Sequence, residues 1–568
     1  MPSHVKDYTF QLAEKAIDDY RNVKVICVGA GYSGICTAIR FPQRIANLSL
    51  TIYEKNADLG GTWFENRYPG VACDIPSPAY QFTFESWSQW SEFYSSGQEI
   101  QQYLKMVSKK YGAEKYIKKR HMVTGATWKE DEAIWSVEVR NLETGEVFTD
   151  TCDFLVMATG ILNQWDWPDI PGLKDFQGKL LHSADWDDSY DVRDKEIALI
   201  GGGSSGIQIL PAIQPIVKRI DHYNHSKMWI ASGGFAAEEA FRRNPTGGNS
   251  KYTPEELEAF RDDPLSYLKY RAYVESLLNT VHTVTWADSE LARESEKIFR
   301  ESMKQKLATK PEVFESMNPS YPPVCRRITP GPNYLESICK ANCEFISTNI
   351  KRIHMNGIET ADGKVRNVDA IITATGFDTS YLPRFPVTGR GGLSLEQVWD
   401  DPYPEAYVSV FARSMPNYMI YLGPNGAPPS GSTVLAIESQ CEYIIKCIQK
   451  CQREGYRTME VKHDALKAFS GYIDSYMPRT VYSKPCKSWF KRGLSEGRVV
   501  ALFPGSATAF RQMLMHPRWE DFHFTPAEDT TVNSFGWLGV AMTRGEMDKS
   551  APTPYLDSID VPPIPGMI

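Results

Sequence analysis

The chain has 568 residues, with 62 Lys and Arg against 70 Asp and Glu, so its formal net charge is −8. A polyanion binder needs surplus positive charge, and this composition therefore argues against a nucleic-acid partner. Hydrophobic residues make up 42% and charged residues 23%, proportions that exclude a mainly disordered chain and are typical of a globular enzyme. At roughly 150 residues per domain, the length corresponds to about three or four domains.

Neither a signal peptide nor a membrane span is expected. Residues 1–20 include Lys6, Glu14 and Asp18, which interrupt any apolar core, and no window approaches the ~18 consecutive apolar residues of a membrane span. The 11 cysteines form an odd, scattered set, which disfavours a disulfide framework. We therefore expect a cytoplasmic protein with reduced thiols, either a monomer or a weak homo-oligomer.

Two segments repeat the same order of a short apolar strand, a glycine-rich loop and a helix. The first runs from a strand at 23–28 through a loop at 29–34 into a helix at 35–40, and the second from 197–200 through 201–206 into 207–213. Because backbone N–H groups at such helix N-termini bind pyrophosphate, we predict two dinucleotide sites in an α/β fold of two Rossmann-like domains. The candidate phosphate-binding residues are Gly29, Gly31, Ser33 and Gly34 in the first loop and Gly201, Gly203, Ser204, Ser205 and Gly206 in the second.

The end of the next strand distinguishes the two predicted sites. After the first loop that strand ends on Glu54, whose carboxylate would accept hydrogen bonds from an adenosine ribose and repel a 2′-phosphate. After the second loop, a strand near 220–223 leads into His225, Ser226 and Lys227, which include a cation and no carboxylate. The second site is therefore predicted to favour NADPH over NADH.

Between the second loop and the end of the chain, the character of the sequence changes twice. Residues 233–322 contain charged segments of helical period, such as 254–260 and 292–299, and predict a helical insertion. A strand at 369–376 then echoes one at 153–160. The predicted units are a first domain at 1–162 and 378–568, a second domain at 163–232 and 323–377, and the insertion at 233–322.

Several motifs along the chain match one enzyme family. Residues 176–187 satisfy F-x-G-x-x-x-H-x-x-x-W-[P/D] at every fixed position, with Phe176, Gly178, His182, Trp186 and Asp187. The other matching segments are 60–63 (GGTW), 68–70 (YPG) with Asp74, 325–331 (CRRITPG), 374–378 (ATGFD) and 488–489 (SW). In these motifs, which extend over nearly the whole chain, the sequence resembles the Baeyer–Villiger monooxygenases.

The resemblance implies FAD and NADPH as cofactors, and a ketone and dioxygen as small-molecule substrates. Ketones would become esters or lactones through a flavin peroxide. Arg327 resembles the residue whose permanent charge stabilises the peroxide anion, Asp74 the carboxylate that orients this arginine, and Trp489 the mobile-loop residue that covers the nicotinamide. Arg326 would reach the phosphate of NADP. The remaining residues expected at the cofactors are Thr62, Trp63, Phe64, Glu65, Ala72, Cys73, Ile75, Tyr80 and Val123.

Other functions remain open on the sequence. An N- or S-oxygenating flavin monooxygenase usually has Phe or Tyr where this chain has Trp186, and a non-catalytic NADPH-sensing flavoprotein would share both glycine loops. A flavin disulfide reductase needs a C-x-x-C pair, whereas the closest cysteines, Cys339 with Cys343 and Cys447 with Cys451, are one residue too far apart. Histidine spacing indicates no metal site. Family members often have Arg-Thr where this chain has His225-Ser226, so the strength of its NADPH preference is open.

Overall fold

The computed structural model describes residues 13–527, 535–551 and 553. Part of the expectation for residues 1–20 therefore lies outside the described residues. The strands are β1 Val23–Val28, β2 Leu48–Tyr53, β3 Ile117–Lys118, β4 His121–Lys129, β5 Ile134–Asn141, β6 Val147–Cys152, β7 Phe154–Met157, β8 Lys179–His182, β9 Glu196–Ile200, β10 Arg219–Tyr223, β11 Cys343–Ile346, β12 Ile350–His354, β13 Gly357–Thr360, β14 Val365–Asn367, β15 Ala370–Thr373, β16 Val387–Thr388, β17 Tyr418–Ile420, β18 Tyr456–Val461 and β19 Phe522–Pro526.

The helices are mostly short and lie around these strands. They are α1 Tyr32–Arg44, α2 Thr62–Glu65, α3 Gly97–Lys110, α4 Ser204–Ile213, α5 Ala237–Arg243, α6 Pro254–Asp262, α7 Pro264–Thr280, α8 Glu290–Lys306, α9 Pro311–Met317, α10 Tyr334–Ile338, α11 Leu395–Trp399, α12 Thr433–Arg453, α13 His463–Tyr476, α14 Ala507–Leu514 and α15 Arg544–Met547. No helix among the described residues is long and apolar enough to cross a membrane.

Two five-stranded parallel sheets organise the molecule. The first has the strand order β17-β7-β1-β2-β3 and the second β11-β10-β9-β15-β8. Strands β1 and β9 are almost wholly buried runs of apolar residues, as expected for parallel strands covered on both faces. In each sheet the chain runs from the central strand, β1 or β9, through a glycine loop and a helix to the neighbouring strand on one side, β2 or β10. The neighbour on the other side, β7 or β15, comes from later in the chain. The crevice at such a switch point commonly binds a ligand.

Strands β1 and β9 have equivalent neighbours in their two sheets. β1 lies between β2 and β7, and β9 lies between β10 and β15. The N–H group of Gly29 donates to Tyr53 O at 2.8 Å, and that of Gly201 donates to Tyr223 O at 3.0 Å. The predicted echo between 153–160 and 369–376 thus corresponds to matching strands, β7 and β15.

The segment 233–322 contains helices α5 to α9 and, among the named elements, no strand. Thr253 and Ser289 cap α6 and α8, so the predicted helical segments begin at real capping residues. The boundaries of the domains stay predictions. Helix α4 continues through Pro211 to Ile213, although the proline has no N–H group to donate to Ile207 O.

Candidate active site between two glycine loops

Both glycine loops have a backbone that only glycine accommodates. Gly29 has φ +105° and Gly201 has φ +115°, and a Cβ atom would lie 2.5 Å from Ala158 O in the first case and 2.3 Å from Ala374 O in the second. Gly31 and Gly203 are the N-caps of α1 and α4, and neither helix start has a side-chain cap. Their first N–H groups are therefore free to bind an anion, which fits the pyrophosphate of a dinucleotide at each loop.

A second glycine segment packs on the first loop. A Cβ atom at Gly61 would lie 2.9 Å from Gly31 Cα, so the two backbones are in direct contact. Gly61 is also the residue from which α2 starts, which carries Thr62, Trp63, Phe64 and Glu65. Trp63 packs edge-on against Tyr80 at 5.6 Å, and Glu65 pairs with Lys55. The structure thus gathers this group of predicted flavin-binding residues beside the first loop.

Glu54 anchors the end of β2 beneath the first loop. Its side chain is buried and accepts hydrogen bonds from the N–H groups of Ala30 at 2.7 Å and Asn56 at 2.8 Å. Burial raises the pKa of this carboxyl, and the two N–H donors lower it in part. The N–H of His121 donates to Glu54 O, which fixes the start of β4 here, and Val123 lies next to a β-bulge of that strand.

The corresponding end of β10 is built differently. Asn224 is buried, and its side chain accepts a hydrogen bond from Ser226 N at 3.0 Å. A Cβ atom on Gly202 would lie 2.6 Å from this amide, so the side chain lies against the second loop. His225 and Lys227 are exposed. Arg326 donates through Nη1 to the backbone oxygen of Lys227 at 3.1 Å, and the predicted phosphate-binding residues therefore lie together.

The segment 68–75 connects the predicted flavin-binding residues with helix α4, which follows the second glycine loop. Tyr68 donates to the side chain of Gln208 in α4 at 2.8 Å, and Gln208 donates to Ala72 O at 2.9 Å. Cys73 and Ile75 are buried beyond this contact. Ser204 shares a hydrogen bond with Thr329 at 2.9 Å. Helix α4 therefore contacts both the segment that carries Asp74 and the segment that carries Arg327.

Arg327 and Asp74 form a two-pronged ion pair. The Nε and Nη2 atoms of the arginine donate to the two carboxylate oxygens at 2.9 and 2.6 Å. The side chains are 38% and 19% exposed. Desolvation disfavours the charged guanidinium, but the charge and hydrogen bonds of Asp74 outweigh this and raise the pKa of Arg327. The residue is consequently a permanent, oriented cation.

A cavity of about 40 Å³ lies beside this pair. Its polar wall is formed by Arg326, Arg327, Tyr482 and Trp489, and its apolar wall includes Val324, Ile328 and Leu502. Trp489 starts a short helical turn and packs on Phe490 with ring centroids 4.7 Å apart. The two predicted arginines and the predicted tryptophan, far apart in sequence, therefore line one cavity.

One expectation is wrong. The scattered cysteines led us to expect reduced thiols, but Cys325 and Cys486 form a disulfide across 161 residues of sequence. No local pattern marks the pair, because only tertiary folding brings together Cys325, next to Arg326, and Cys486, three residues before Trp489. The other nine cysteines, including Cys339, Cys343, Cys447 and Cys451, are unpaired.

His182 and Trp186 of the long fingerprint are packed in the interior. Both are buried, and the imidazole of His182 stacks on Trp165 at 4.1 Å. Burial lowers the pKa of His182 to about 4, so this histidine is neutral and packed at neutral pH. No group of three or more His, Cys, Asp or Glu residues within the described chain is placed to hold a metal ion.

Three residues that sequence reasoning missed take part in this geometry. Gln208 connects α4 to residues 68–72, Asn224 lies against the second loop, and Tyr482 lines the cavity. Asn224 was detectable, because it occupies the strand-end position that Glu54 has in the first unit. Gln208 and Tyr482 have contacts only with residues distant in sequence, and no local pattern marks them.

Comparisons with known proteins identify the family of the chain. Residues 22–236 match the model of a flavin-binding monooxygenase-like family. The chain is 39% identical over 533 residues to the FAD-binding monooxygenase tazF of Aspergillus terreus, covering 93% of each protein. It is 33% identical over 509 residues to a Baeyer-Villiger monooxygenase of Pseudomonas aeruginosa, covering 89% of this chain and 92% of that protein.

Solved structures show the same fold. The cyclohexanone monooxygenase of Rhodococcus sp. Phi1, bound to NADP+, superposes with a TM-score of 0.76 over 89% of this chain and 99% of that one, at 23% identity. A steroid monooxygenase bound to NADP gives a TM-score of 0.76 at 24% identity, again over 89% of this chain. The fold and the relatives are those of flavin-dependent monooxygenases. The chain belongs to the flavin-binding monooxygenase-like family, and the predicted α/β fold class is confirmed.

Proposed function

We propose that this protein is an FAD-containing Baeyer–Villiger monooxygenase, which converts a ketone, dioxygen, NADPH and a proton into an ester or lactone, NADP+ and water. The observation that carries the proposal is the Arg327–Asp74 pair, which lies on two segments that contact helix α4 and whose arginine lines a cavity with Trp489. The resemblance to Baeyer–Villiger enzymes and the relative in Pseudomonas aeruginosa support it.

The chain's own residues supply binding and charge. FAD would lie along the first loop with its ribose at Glu54 and its ring system near Thr62, Trp63 and Tyr80, and NADPH along the second. When bound, the flavin supplies hydride acceptance from NADPH and the activation of dioxygen. Arg327 stabilises the negative charge that develops during oxygenation, and Asp74 holds the guanidinium in place so that it need not reorganise.

The test measures products and cofactor chemistry together. Under labelled dioxygen, the wild type should form an ester that carries one labelled oxygen atom from a panel of cyclohexanone, acetophenone and 2-decanone. Arg327→Ala removes the oriented cation, an effect of about 2.7–4 kcal/mol, so ester formation should fall roughly 10²- to 10³-fold while NADPH still reduces the flavin. Stopped-flow absorbance of the flavin and product analysis separate the two steps.

A matched control is available on the surface. Arg193 makes the same two-pronged pair with Asp191 at 3.0 and 2.7 Å, and Arg193→Ala should leave ester yield unchanged. Normal ester yield from Arg327→Ala would refute the role of this arginine. If all three ketones stay unchanged while an added tertiary amine or methyl phenyl sulfide is converted to its N- or S-oxide, the other oxygenating class is favoured. Bound FAD with no substrate-stimulated NADPH oxidation would indicate a sensor.

A further inference from the structure

Tyr482 is a buried tyrosine whose hydroxyl has no hydrogen-bond partner among the described residues. Its side chain is 1% exposed, and its Oη atom is unpaired. A buried hydroxyl without a partner costs about 1–3 kcal/mol of stability. A phenylalanine would fill the same space without that cost. The hydroxyl does not stabilise the fold, and we therefore look for a function that needs it.

The location of Tyr482 supplies one. It lines the cavity that Arg327 and Trp489 also line. Two other tyrosines in the described chain, Tyr223 and Tyr381, also have unpaired buried hydroxyls, but neither borders this cavity. The ring of Tyr482 is held edge-on against Phe490, with ring centroids 5.7 Å apart, so its orientation is fixed by packing.

The chemistry of the cavity favours a neutral acceptor as the partner. Burial raises the pKa of Tyr482, and the charge of nearby Arg327 lowers it only in part, so the phenol keeps its proton and can donate. The rest of the lining is largely apolar, with Val324, Ile328 and Leu502. A molecule with a hydrocarbon body and one hydrogen-bond acceptor matches both features, since the acceptor would satisfy the hydroxyl without burying a second charge.

We propose that Tyr482 donates a hydrogen bond to the carbonyl oxygen of the ketone and so makes the site selective for carbonyl substrates. The inference rests on the proposed function, because it assigns a contact to that reaction. As the carbonyl carbon is attacked, its oxygen gains negative charge, and a fixed donor then binds it more strongly than in the free ketone. A thioether has no carbonyl oxygen and would gain little from the same donor.

The experiment compares two substrates in one active site. Wild type and Tyr482→Phe, both as FAD-loaded enzyme, are assayed with the best ketone of the panel above and with methyl phenyl sulfide. We expect kcat/KM for the ketone to fall by about tenfold or more, and the rate of sulfide oxygenation to stay within about twofold. A structural defect would lower both rates together. If the ketone-to-sulfide ratio is unchanged, the assignment of Tyr482 is wrong.

Two further measurements do not depend on turnover. Without ligand, the melting midpoint of Tyr482→Phe should equal or exceed that of the wild type, because no satisfied bond is lost. Without NADPH, a saturating concentration of the ketone should raise the melting midpoint of the wild type more than that of the variant. A fall in the midpoint without ligand, or an equal ketone-induced rise in both proteins, would overturn the assignment.

The matched control is Tyr381→Phe. Its hydroxyl is also buried and unpaired, but Tyr381 does not line this cavity, so both substrates should react as in the wild type. If the wild type forms no ester from any ketone, the proposed function fails and this inference fails with it. If the wild type forms an ester and Tyr482→Phe matches it on both substrates, only the role of Tyr482 is refuted.

Discussion

At the first glycine loop, the neighbouring strand β2 is followed directly by Glu54, which accepts a hydrogen bond from Ala30 N in the loop. At the second loop, β10 is followed directly by Asn224, which lies against Gly202. The two loops share their strand neighbours, the positive φ of the first glycine and the hydrogen bond of that glycine to the next strand. The two units differ at the residue that follows the strand, which would meet the adenosine ribose.

This difference indicates how one fold unit can be used for two dinucleotides. The backbone of the loop determines that a pyrophosphate binds, since only N–H groups are needed for it. The strand end determines which ribose is accepted, because a carboxylate repels a 2′-phosphate and cations attract it. We therefore expect substitutions in the loop to abolish binding and substitutions at the strand end to change selectivity.

The largest effects should come from adding a Cβ atom to each loop. In Gly29→Ala and Gly201→Ala, the side chain would lie 2.5 and 2.3 Å from a carbonyl oxygen at a positive φ, and the strain of the φ alone costs roughly 1–3 kcal/mol. Gly29→Ala should purify without flavin. Gly201→Ala should keep its flavin but fail to be reduced by NADPH. Flavin absorbance of the purified proteins and the reduction rate measure both.

Gly471→Ala is the control for this pair. Gly471 lies within α13, and a Cβ atom there would have no heavy atom within 4 Å, so flavin content and reduction should match the wild type. The loops would have to be reassigned if Gly29→Ala kept a full complement of flavin, or if Gly201→Ala lost it. Melting midpoints of all three variants separate local loss of binding from global unfolding.

The next largest effects should come from removing the carboxylate after β2 and from introducing one after β10. Glu54→Gln removes a buried charge-assisted acceptor, which contributes about 1.5–3 kcal/mol, so FAD should dissociate more readily by tenfold or more. Asn224→Asp places a carboxylate at the second site and should lower the NADPH-to-NADH ratio of kcat/KM by about tenfold. Flavin release on dilution and steady-state kinetics with each nucleotide are the measurements.

Each of these variants serves as the control for the other. Glu54→Gln should leave the preference between NADPH and NADH unchanged, and Asn224→Asp should leave flavin retention unchanged. If either variant affects both cofactors equally, the two strand ends do not act separately. The two units would then differ in structure without determining which cofactor each one binds.

The duplicated units were predictable from sequence because strand, loop and helix are contiguous there. The strands at 23–28 and 197–200 and the loops at 29–34 and 201–206 depend on local patterns. In the structure β9 starts one residue earlier than predicted, both helices start three residues earlier, and α1 continues four residues further, to Arg44. Arg327 and Asp74 were predictable as a pair only through the family resemblance, since 253 residues separate them.

The parts of the site that could not be predicted depend on packing between distant segments. Cys325 and Cys486 are 161 residues apart. Tyr482 lines the cavity only because residues 477–491 pack against the segment that contains Arg326 and Arg327. A single sequence has no signal for such contacts, because each side chain looks like an ordinary core residue in its own neighbourhood. The fold class could therefore be predicted from the sequence, whereas the residues that line the cavity could not.

The smallest expected effect concerns the exposed cation at the second strand end. Lys227 lies beside Arg326, which binds its backbone oxygen, so Lys227→Ala should leave one cation near a 2′-phosphate and lower the NADPH preference by only about two- to fivefold. The loss should shrink as salt concentration rises, because the side chain is exposed to screening. Lys218→Ala, just before the opposite end of β10, removes another exposed lysine, which pairs with Glu196, and should leave the NADPH preference unchanged. An equal loss of activity with NADPH and NADH in Lys227→Ala would mean that this lysine supports the strand end and does not contact the phosphate.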